Sequence, residues 1–399
     1  MTPTGTSSNR DCGSAPIPEP SPLPAAQVRA AIDRFNEAVN RGMEAQPAGR
    51  DWVQQVLHRR GGPRCPVRLR RLSLDVILRH GKALIELFAA YPDDVVFAQP
   101  YDIFLGYQRP DDPEAVDLVA ALTREAEWTD EWGTRWRHAA GGVGASTVAA
   151  PLPDWSELES YLTRMPDPRL PGRLDGVLPS LRRFGGKQYF AGMTHLMLFE
   201  RMHCLRGFEN TLEDLCLHPR ESERLLDALT EYYLEIVRAW GRLPGVDGLF
   251  MSEDWGTQQA LMISPEMWRR FFLGRYRRIF DQAHQVGLDV IFHSCGNVTA
   301  IVGDLIDAGI DVLDPLQPEA MDLAALAREF GGRVALCGGL SDQEIARQTP
   351  AQVRAAVRHT VDLLGRAGNH AYLVGPSNVL TPEIPLPNIE ALFRACHEQ

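Results

Sequence analysis

Leu288-Asp289-Val290-Ile291-Phe292-His293-Ser294-Cys295-Gly296-Asn297 is the stretch on which the fold reading turns. The apolar run over 288–292 predicts a buried strand, and the five residues after it predict a loop at that strand's carboxyl end. In parallel α/β folds this edge surrounds an open cleft where ligands bind. His293 and Cys295, two apart on an extended segment, can face one space, and both are zinc-ligand types. The competing reading is a satisfied core histidine beside a small buried cysteine. A strand end followed by a Gly-Asn turn favours a site.

The same strand–loop–helix pattern repeats on both sides. Upstream, Leu225, Leu226, Leu229, Tyr232, Tyr233, Ile236 and Trp240 give 222–240 a broad apolar helical face. A Pro-Gly turn then leads into a strand over 246–251, which ends at Ser252-Glu253-Asp254-Trp255-Gly256. Ser264-Pro265 opens the next helix with an N-cap and a first-position proline, and Gly287 ends it. Downstream, helices over 301–308 and 323–330 alternate with strands over 312–314 and 334–337. Thr349-Pro350-Ala351-Gln352 reads as a capping box for a helix to 364. A last strand at 371–374 and a helix over 387–395 follow. Strands near 249, 290, 312, 335 and 373, each followed by a helix, imply parallel pairing through crossovers. With no early Gly-rich phosphate fingerprint, the expectation is an α/β fold, a closed (β/α)8 TIM barrel.

The amino-terminal half is less regular. Val28, Ile32, Phe35 and Val39 give 25–43 helical spacing. A second helix, the basic run Val67-Arg68-Leu69-Arg70-Arg71, a longer helix through Leu84, Leu87 and Phe88, and a strand over 95–98 follow. Pro100-Tyr101-Asp102 then offers polar groups after that strand. Residues 109–185 give no clear pattern. The expected organisation is a disordered Pro/Ser-rich tail over 1–24, a helical extension over 25–60 and the barrel over 61–399.

Composition narrows the function. The chain has 399 residues, 44% of them hydrophobic, and a net charge of −11, which argues against nucleic-acid and anionic-membrane partners. No apolar stretch approaches the roughly 18 residues of a membrane span. Seven cysteines stand singly with no CxxC pair, and no signal peptide is evident, a pattern suited to a reducing cytoplasm. The expectation is a cytoplasmic protein with a small-molecule substrate, able to form a homo-oligomer.

The carboxyl-terminal half resembles the uroporphyrinogen decarboxylase superfamily, which also contains zinc-dependent methyltransferases that serve corrinoid proteins. The matching text is Asp254-Trp255-Gly256-Thr257-Gln258, Ile263-Ser264-Pro265-Glu266-Met267-Trp268, His293-Ser294-Cys295-Gly296, Asp314-Pro315-Leu316-Gln317-Pro318-Glu319, Gly338-Gly339-Leu340 and Thr381-Pro382-Glu383-Ile384-Pro385-Leu386-Pro387-Asn388. Order and spacing agree from about Phe190 onward, roughly half of the chain. The resemblance implies a (β/α)8 barrel with its site at the carboxyl ends of the strands. True decarboxylases carry an Arg-rich Met-Arg-Gln-Ala-Gly-Arg segment, which Arg68, Arg70 and Arg71 do not reproduce. The methyltransferase branch carries His-x-Cys and a later cysteine, and here that third position falls at about Asn378, a poor zinc ligand. Cys337, two strands along from Cys295, is the expected substitute. His293, Cys295 and Cys337 would then form an N/S/S site with an open fourth position.

Four strand ends thus bring Asp254, His293 with Cys295, Asp314 with Gln317, and Asn378 toward one barrel mouth. The expected catalytic residues are Asp254, His293 and Asn378; Tyr101, Trp255, Gln258, Asn297, Asp314 and Gln317 are expected to contact substrate. Asp254 could orient the histidine or act as acid/base, or it could simply cap a turn. His195, Glu200 and Arg206 lie in a helix-rich stretch and could close the cleft, although charges on a helix surface are usually solvated. The favoured function is a zinc-assisted methyltransferase acting with a methylcorrinoid on a partner protein, or with a small thiol. The alternatives are a metal-independent decarboxylase of a carboxylated, uroporphyrinogen-like tetrapyrrole, and a barrel that binds a ligand without chemistry.

Overall fold

The computed structural model describes residues 24–399 except 102–104, 110–111, 113–114, 118, 120, 122–123, 140–143 and 367–370. Asp102 and the expected tail, apart from Pro24, lie outside the described residues. Seven strands form one parallel sheet: β1 (Val95–Ala98), β5 (Tyr189–Thr194), β6 (Gly248–Ser252), β7 (Asp289–His293), β8 (Val312–Leu316), β9 (Ala335–Leu340) and β10 (Tyr372–Pro376), in that spatial order. Each of these pairs runs parallel. Both faces are covered, so the strands read as near-continuous apolar runs.

Side chains still alternate by face, with period two. Tyr189, Ala191, Phe250, Ile291, Val312, Ala335, Cys337 and Leu373 form one buried cluster, on the concave side of the curled sheet. Phe190, Leu249, Met251, Val290, Phe292, Leu313, Leu336 and Val374 belong to the larger cluster shared with the surrounding helices. Residues 66–68 run between the two edges of the sheet. Arg68 N–H donates to Val374 O at 2.9 Å, Val374 N–H donates to Pro66 O at 2.8 Å, and Asp94 N–H donates to Val67 O at 3.0 Å.

Three helices precede β1: α1 (Ala25–Glu44), α2 (Arg50–Leu57) and α3 (Leu74–Ala90). Helix α2 covers the amino end of the sheet. Val53 and Leu57 join the concave cluster, Arg50 pairs with Asp247 at 2.7 Å, and His58, its C-cap, pairs with Asp289 at 2.8 Å. Helix α1 lies on α3 through Phe35 and Phe88, and α3 meets the closing helix Leu386–His397 through Phe88 and Phe393. The capping box at Thr349 forms as the sequence suggests. Among the described residues no helix is long and apolar enough to cross a membrane.

Two features lie outside the sequence reading. Strand β5 precedes the helix-rich stretch from His195 to Leu217, which holds helices over Leu198–Arg206 and Phe208–Leu217 as expected. Within 109–185 lies a second, antiparallel sheet of β2 (Ala126–Thr129), β3 (Arg135–His138) and β4 (Ala145–Ala149). Its alternation is clear once paired: Trp128 and Trp136 face inward, while Glu127 is bridged by Arg135 and Arg137 outside. Strands of four or five residues give too short a pattern to stand out from loops.

The hydrogen bond to Asp289 raises the His58 pKa. A raised pKa means that this contribution to stability is fully present below the ordinary histidine value and is lost as pH rises through the raised one. Thermal melts of His58→Ala should therefore show a larger loss relative to wild type near pH 6 than near pH 9. A loss that is equal at both, or larger at the higher pH, contradicts this anchoring of α2.

Candidate functional site

The carboxyl ends of the parallel strands open on a cavity of about 770 Å³. Asp254, His293, Cys295 and Asn378 all line it, joined by Arg68, Arg71 and His195. The strand-end loops bearing Asp254 and Cys295 are zipped together by two backbone bonds and one to a serine side chain. Gly256 N–H donates to Cys295 O, Asn297 N–H donates to Thr257 O, and Trp255 N–H donates to Ser294 Oγ. Gly296 has φ +79°, and a Cβ there would lie 2.3 Å from the Gly256 backbone, so only glycine permits this approach.

The zipper fixes three donors. Asp254 Oδ1 accepts the Cys295 N–H at 2.8 Å and lies 3.7 Å from His293 Nε2. Cys295 Sγ lies 3.5 Å from the same nitrogen. One ligand atom from each of Asp254, His293 and Cys295 falls within 4.8 Å of the others. Tetrahedral zinc with ordinary Zn–N and Zn–S bonds places N and S about 3.6 Å apart. The set therefore fits a zinc ion with three protein ligands and an open fourth position.

Behind the histidine stands Asp314, fully buried. Its Oδ2 is 2.6 Å from His293 Nδ1, while Oδ1 accepts from Arg68 at 2.5 Å and Arg71 at 3.1 Å. Burial would raise the Asp314 pKa, but the two guanidinium charges and the His293 hydrogen bond outweigh it and hold the carboxyl well below its usual range. An ionised carboxylate only accepts, so Nδ1 is the donor, and Nε2 is the ring nitrogen that faces Cys295 and Asp254. This carboxylate–histidine arrangement is the usual support of a metal-bound imidazole. Burial, and then Asp254, pushes the Cys295 thiol up; a bound cation reverses that preference.

Other sequence-based assignments need correction. Cys337 does not join the cluster: its sulfur lies on the concave side, 3.7 Å from Arg68 Nη1, and burial pushes its thiol up to about 12. The third donor is Asp254 instead, because the β6 loop folds onto the β7 loop while Cys337 sits within β9, below the mouth. Asn378 lines the cavity with its Oδ1 bonded to the adjacent Val379 N–H. Asp314 and Gln317 are not among the residues lining the cavity: Asp314 supports His293, and Gln317 Oε1 accepts the Gly296 N–H. Trp255 is a core residue, stacked on Phe199 at 4.3 Å. Gln258 is exposed outside the cavity, and Asn297 caps the following turn through Thr299 N–H. Tyr101 lines a small side chamber next to the cavity.

The sequence reading missed Arg68 and Arg71, whose pattern is only a basic run until folding carries it some 240 residues to Asp314. It also undervalued the three residues read as solvated. Arg206 is buried against Asp214 at 2.8 Å. Glu200 is largely buried, and its N–H donates to the fully buried Glu253. His195 follows β5 and borders both the cavity and the side chamber.

The model of the family described as uroporphyrinogen decarboxylase (URO-D) matches residues 194–399, just over half of the chain. The methylcobamide:CoM methyltransferase MtaA of Methanosarcina barkeri is 25% identical over 181 residues, 44% of this chain and 48% of that protein. The corresponding protein of Methanosarcina barkeri strain Fusaro is 27% identical over 143 residues, 34% of this chain and 38% of its own length. The chain thus spans at most about half the length of the curated relatives it matches. A solved structure, a methyltransferase from Methanosarcina mazei, superposes with a TM-score of 0.62 at 18% identity, covering 88% of this chain and 99% of that one. That likeness is one of fold.

Removing Asp314 would strand two buried guanidinium groups. Asp314→Ala is expected to cost about 3–5 kcal/mol in denaturant unfolding. Asp254→Ala, at a side chain 41% exposed, should cost about 1 kcal/mol or less. Equal costs would contradict the buried ion cluster.

Proposed function

The chain belongs to the uroporphyrinogen decarboxylase family, nearer its corrinoid methyltransferases than its decarboxylases, and from that premise we propose that it is a zinc-assisted methyltransferase. The observation that carries this reading is the Asp254–His293–Cys295 cluster, backed by Asp314. A methylcorrinoid on a partner protein is the proposed methyl source and a small thiol the acceptor, bound in the 770 Å³ cavity. When bound, zinc supplies Lewis acidity that keeps an incoming thiol as thiolate at neutral pH. The residues of the chain supply the rest. Asp314 fixes the ring and tautomer of His293, and Asp254 holds the Cys295 backbone while offering an oxygen to the metal. Asn378 remains a candidate substrate contact on the cavity wall.

The decarboxylase alternative needs cations free to bind substrate carboxylates. Arg68 and Arg71 are both engaged by Asp314, which leaves Arg70, hydrogen-bonded to Asn36, as a single cavity-wall cation for a substrate of many carboxylates and favours the methyl-transfer reading. The proposed architecture is a closed eight-stranded barrel over 61–399, with residues 66–68 as the stave between β10 and β1 and residues 25–60 as an extension covering its amino end.

Two measurements follow. Purified full-length protein should hold about one zinc per chain by elemental analysis. Cys295→Ala and Asp254→Ala should each lose the metal and thiol-dependent demethylation of methylcobalamin, while Cys337→Ala retains both. Zinc-free turnover, or uroporphyrinogen decarboxylation that survives Cys295→Ala, would overturn the reading. For the barrel, a Cβ at Gly375 would lie 2.1 Å from Arg68 O. Gly375→Ala should therefore lose about 1–3 kcal/mol of stability, whereas Gly332→Ala, with open space around it, should change it by less than about 0.5 kcal/mol. Tolerance of Gly375→Ala would argue against the closing stave.

A further inference from the structure

His195 is a half-buried histidine on the cavity wall that the metal cluster does not use. It follows the carboxyl end of β5 and stands between the cavity and a side chamber of about 20 Å³, space for about one water. Both ring nitrogens are buried, and neither has a hydrogen-bond partner among the described residues. Buried imidazole nitrogens are ordinarily paired, so an unfilled donor and an unfilled acceptor at a cavity wall mark the place of an absent partner.

The surroundings state what kind of partner fits. Burial, followed by the neighbouring His293 and Arg68, lowers the His195 pKa to about 3, so the ring is neutral at any working pH. It then offers one N–H and one lone pair and no charge. The adjoining wall is apolar, with half-buried Phe97 and Met193 lining the cavity beside Phe250. The Phe97 and Phe250 rings pack edge to face at 5.6 Å, their planes 85° apart, so the wall presents aromatic carbon and no hydrogen-bonding group. The Arg68 guanidinium lies 4.0 Å from the Phe97 ring centre but is held by Asp314, so it stiffens this wall without offering a free ion pair. Phe250 also touches both histidines, His195 at 5.8 Å and His293 at 5.2 Å between ring centres. A molecule held at His195 therefore sits one ring's breadth from the metal cluster.

We propose that His195, Phe97 and Met193 form a subsite for an uncharged aromatic molecule whose hydroxyl group hydrogen-bonds one of the two unpartnered ring nitrogens of the imidazole. As the place of a reactant, this subsite rests on the methyl-transfer reading; as a binding site, it does not depend on zinc. The neutral histidine and its apolar wall disfavour a carboxylate in the same position, because the anion would be desolvated while the neighbouring Arg68 and Arg201 are already held by Asp314 and Asp130.

Phenol, toluene and benzoate serve as probes in calorimetric titrations of the full-length protein as purified. Phenol should bind more tightly than toluene by about tenfold, the worth of one buried hydrogen bond, and benzoate should not bind. Imidazole ¹⁵N spectra should show phenol shifting the His195 resonances. His195→Phe, which keeps a ring and removes both nitrogens, should abolish the preference for phenol while leaving zinc content unchanged. Phe97→Ala should weaken phenol and toluene alike. Cys295→Ala should lose metal yet bind phenol as wild type does, so failure of the zinc reading and failure of this one are separable. Equal phenol and toluene affinities in wild type, an unchanged preference in His195→Phe, or tighter binding of benzoate would each overturn the proposal.

Discussion

One buried carboxylate, Asp314, sets the order of everything at the mouth of the sheet. It receives Arg68 and Arg71 from the segment before α3 and His293 from the end of β7. Three remote pieces of chain thus meet on two oxygens that no solvent reaches. Burying a carboxylate alone would protonate it, and burying two guanidinium groups alone would be far more costly than leaving them in water. Together they are tolerated, and the requirement that all be present fixes the geometry. The segment over 66–68 is tied down next to β10, and the imidazole is held in one tautomer, aimed at Cys295 and Asp254.

The second constraint is local and made of backbone. Two strand-end loops approach so closely that neither Gly256 nor Gly296 can carry a side chain. That contact, rather than any affinity between side chains, brings Asp254 beside His293 and Cys295. It also explains the departure from the N/S/S set anticipated from the sequence. The third donor is set by which loops touch, and the β6 loop touches the β7 loop while Cys337 stays within β9 facing the concave core. Asn378, at the position where the resemblance implies a thiolate, keeps a place on the cavity wall.

Most of the carboxyl-terminal fold was legible because each parallel strand is covered on both faces and reads as a short apolar run between turn residues. The strands ending at Ser252, His293 and Leu316 and the helices between them follow that rule. The capping box at Thr349 is legible for a different reason, since its chemistry lies within four residues. Asp254, His293 and Cys295 were legible as strand-end residues, which is a statement about position alone. What the sequence hides is pairing at long range. Arg71 and Asp314 meet across 243 residues, and no local pattern distinguishes Arg71 from a solvated arginine. Trp255, Gln258, Asn297 and Gln317 share the strand-end loops but turn into the core, to solvent or onto backbone. Loop direction depends on contacts that periodicity does not encode. His195 was obscured because β5 is followed within four residues by a helix beginning at Leu198.

The central claim is that a single sulfur, that of Cys295, joins one imidazole nitrogen and one carboxylate oxygen around the ion. Zinc K-edge X-ray absorption of the full-length protein, purified without added thiol, reads that set directly. The account predicts one sulfur in the first coordination shell at about 2.3 Å with nitrogen and oxygen at about 2.0–2.2 Å, lost altogether in Cys295→Ala and unchanged in Cys337→Ala. Two sulfur ligands, or a zinc shell that Cys337→Ala alters and Cys295→Ala does not, would contradict it.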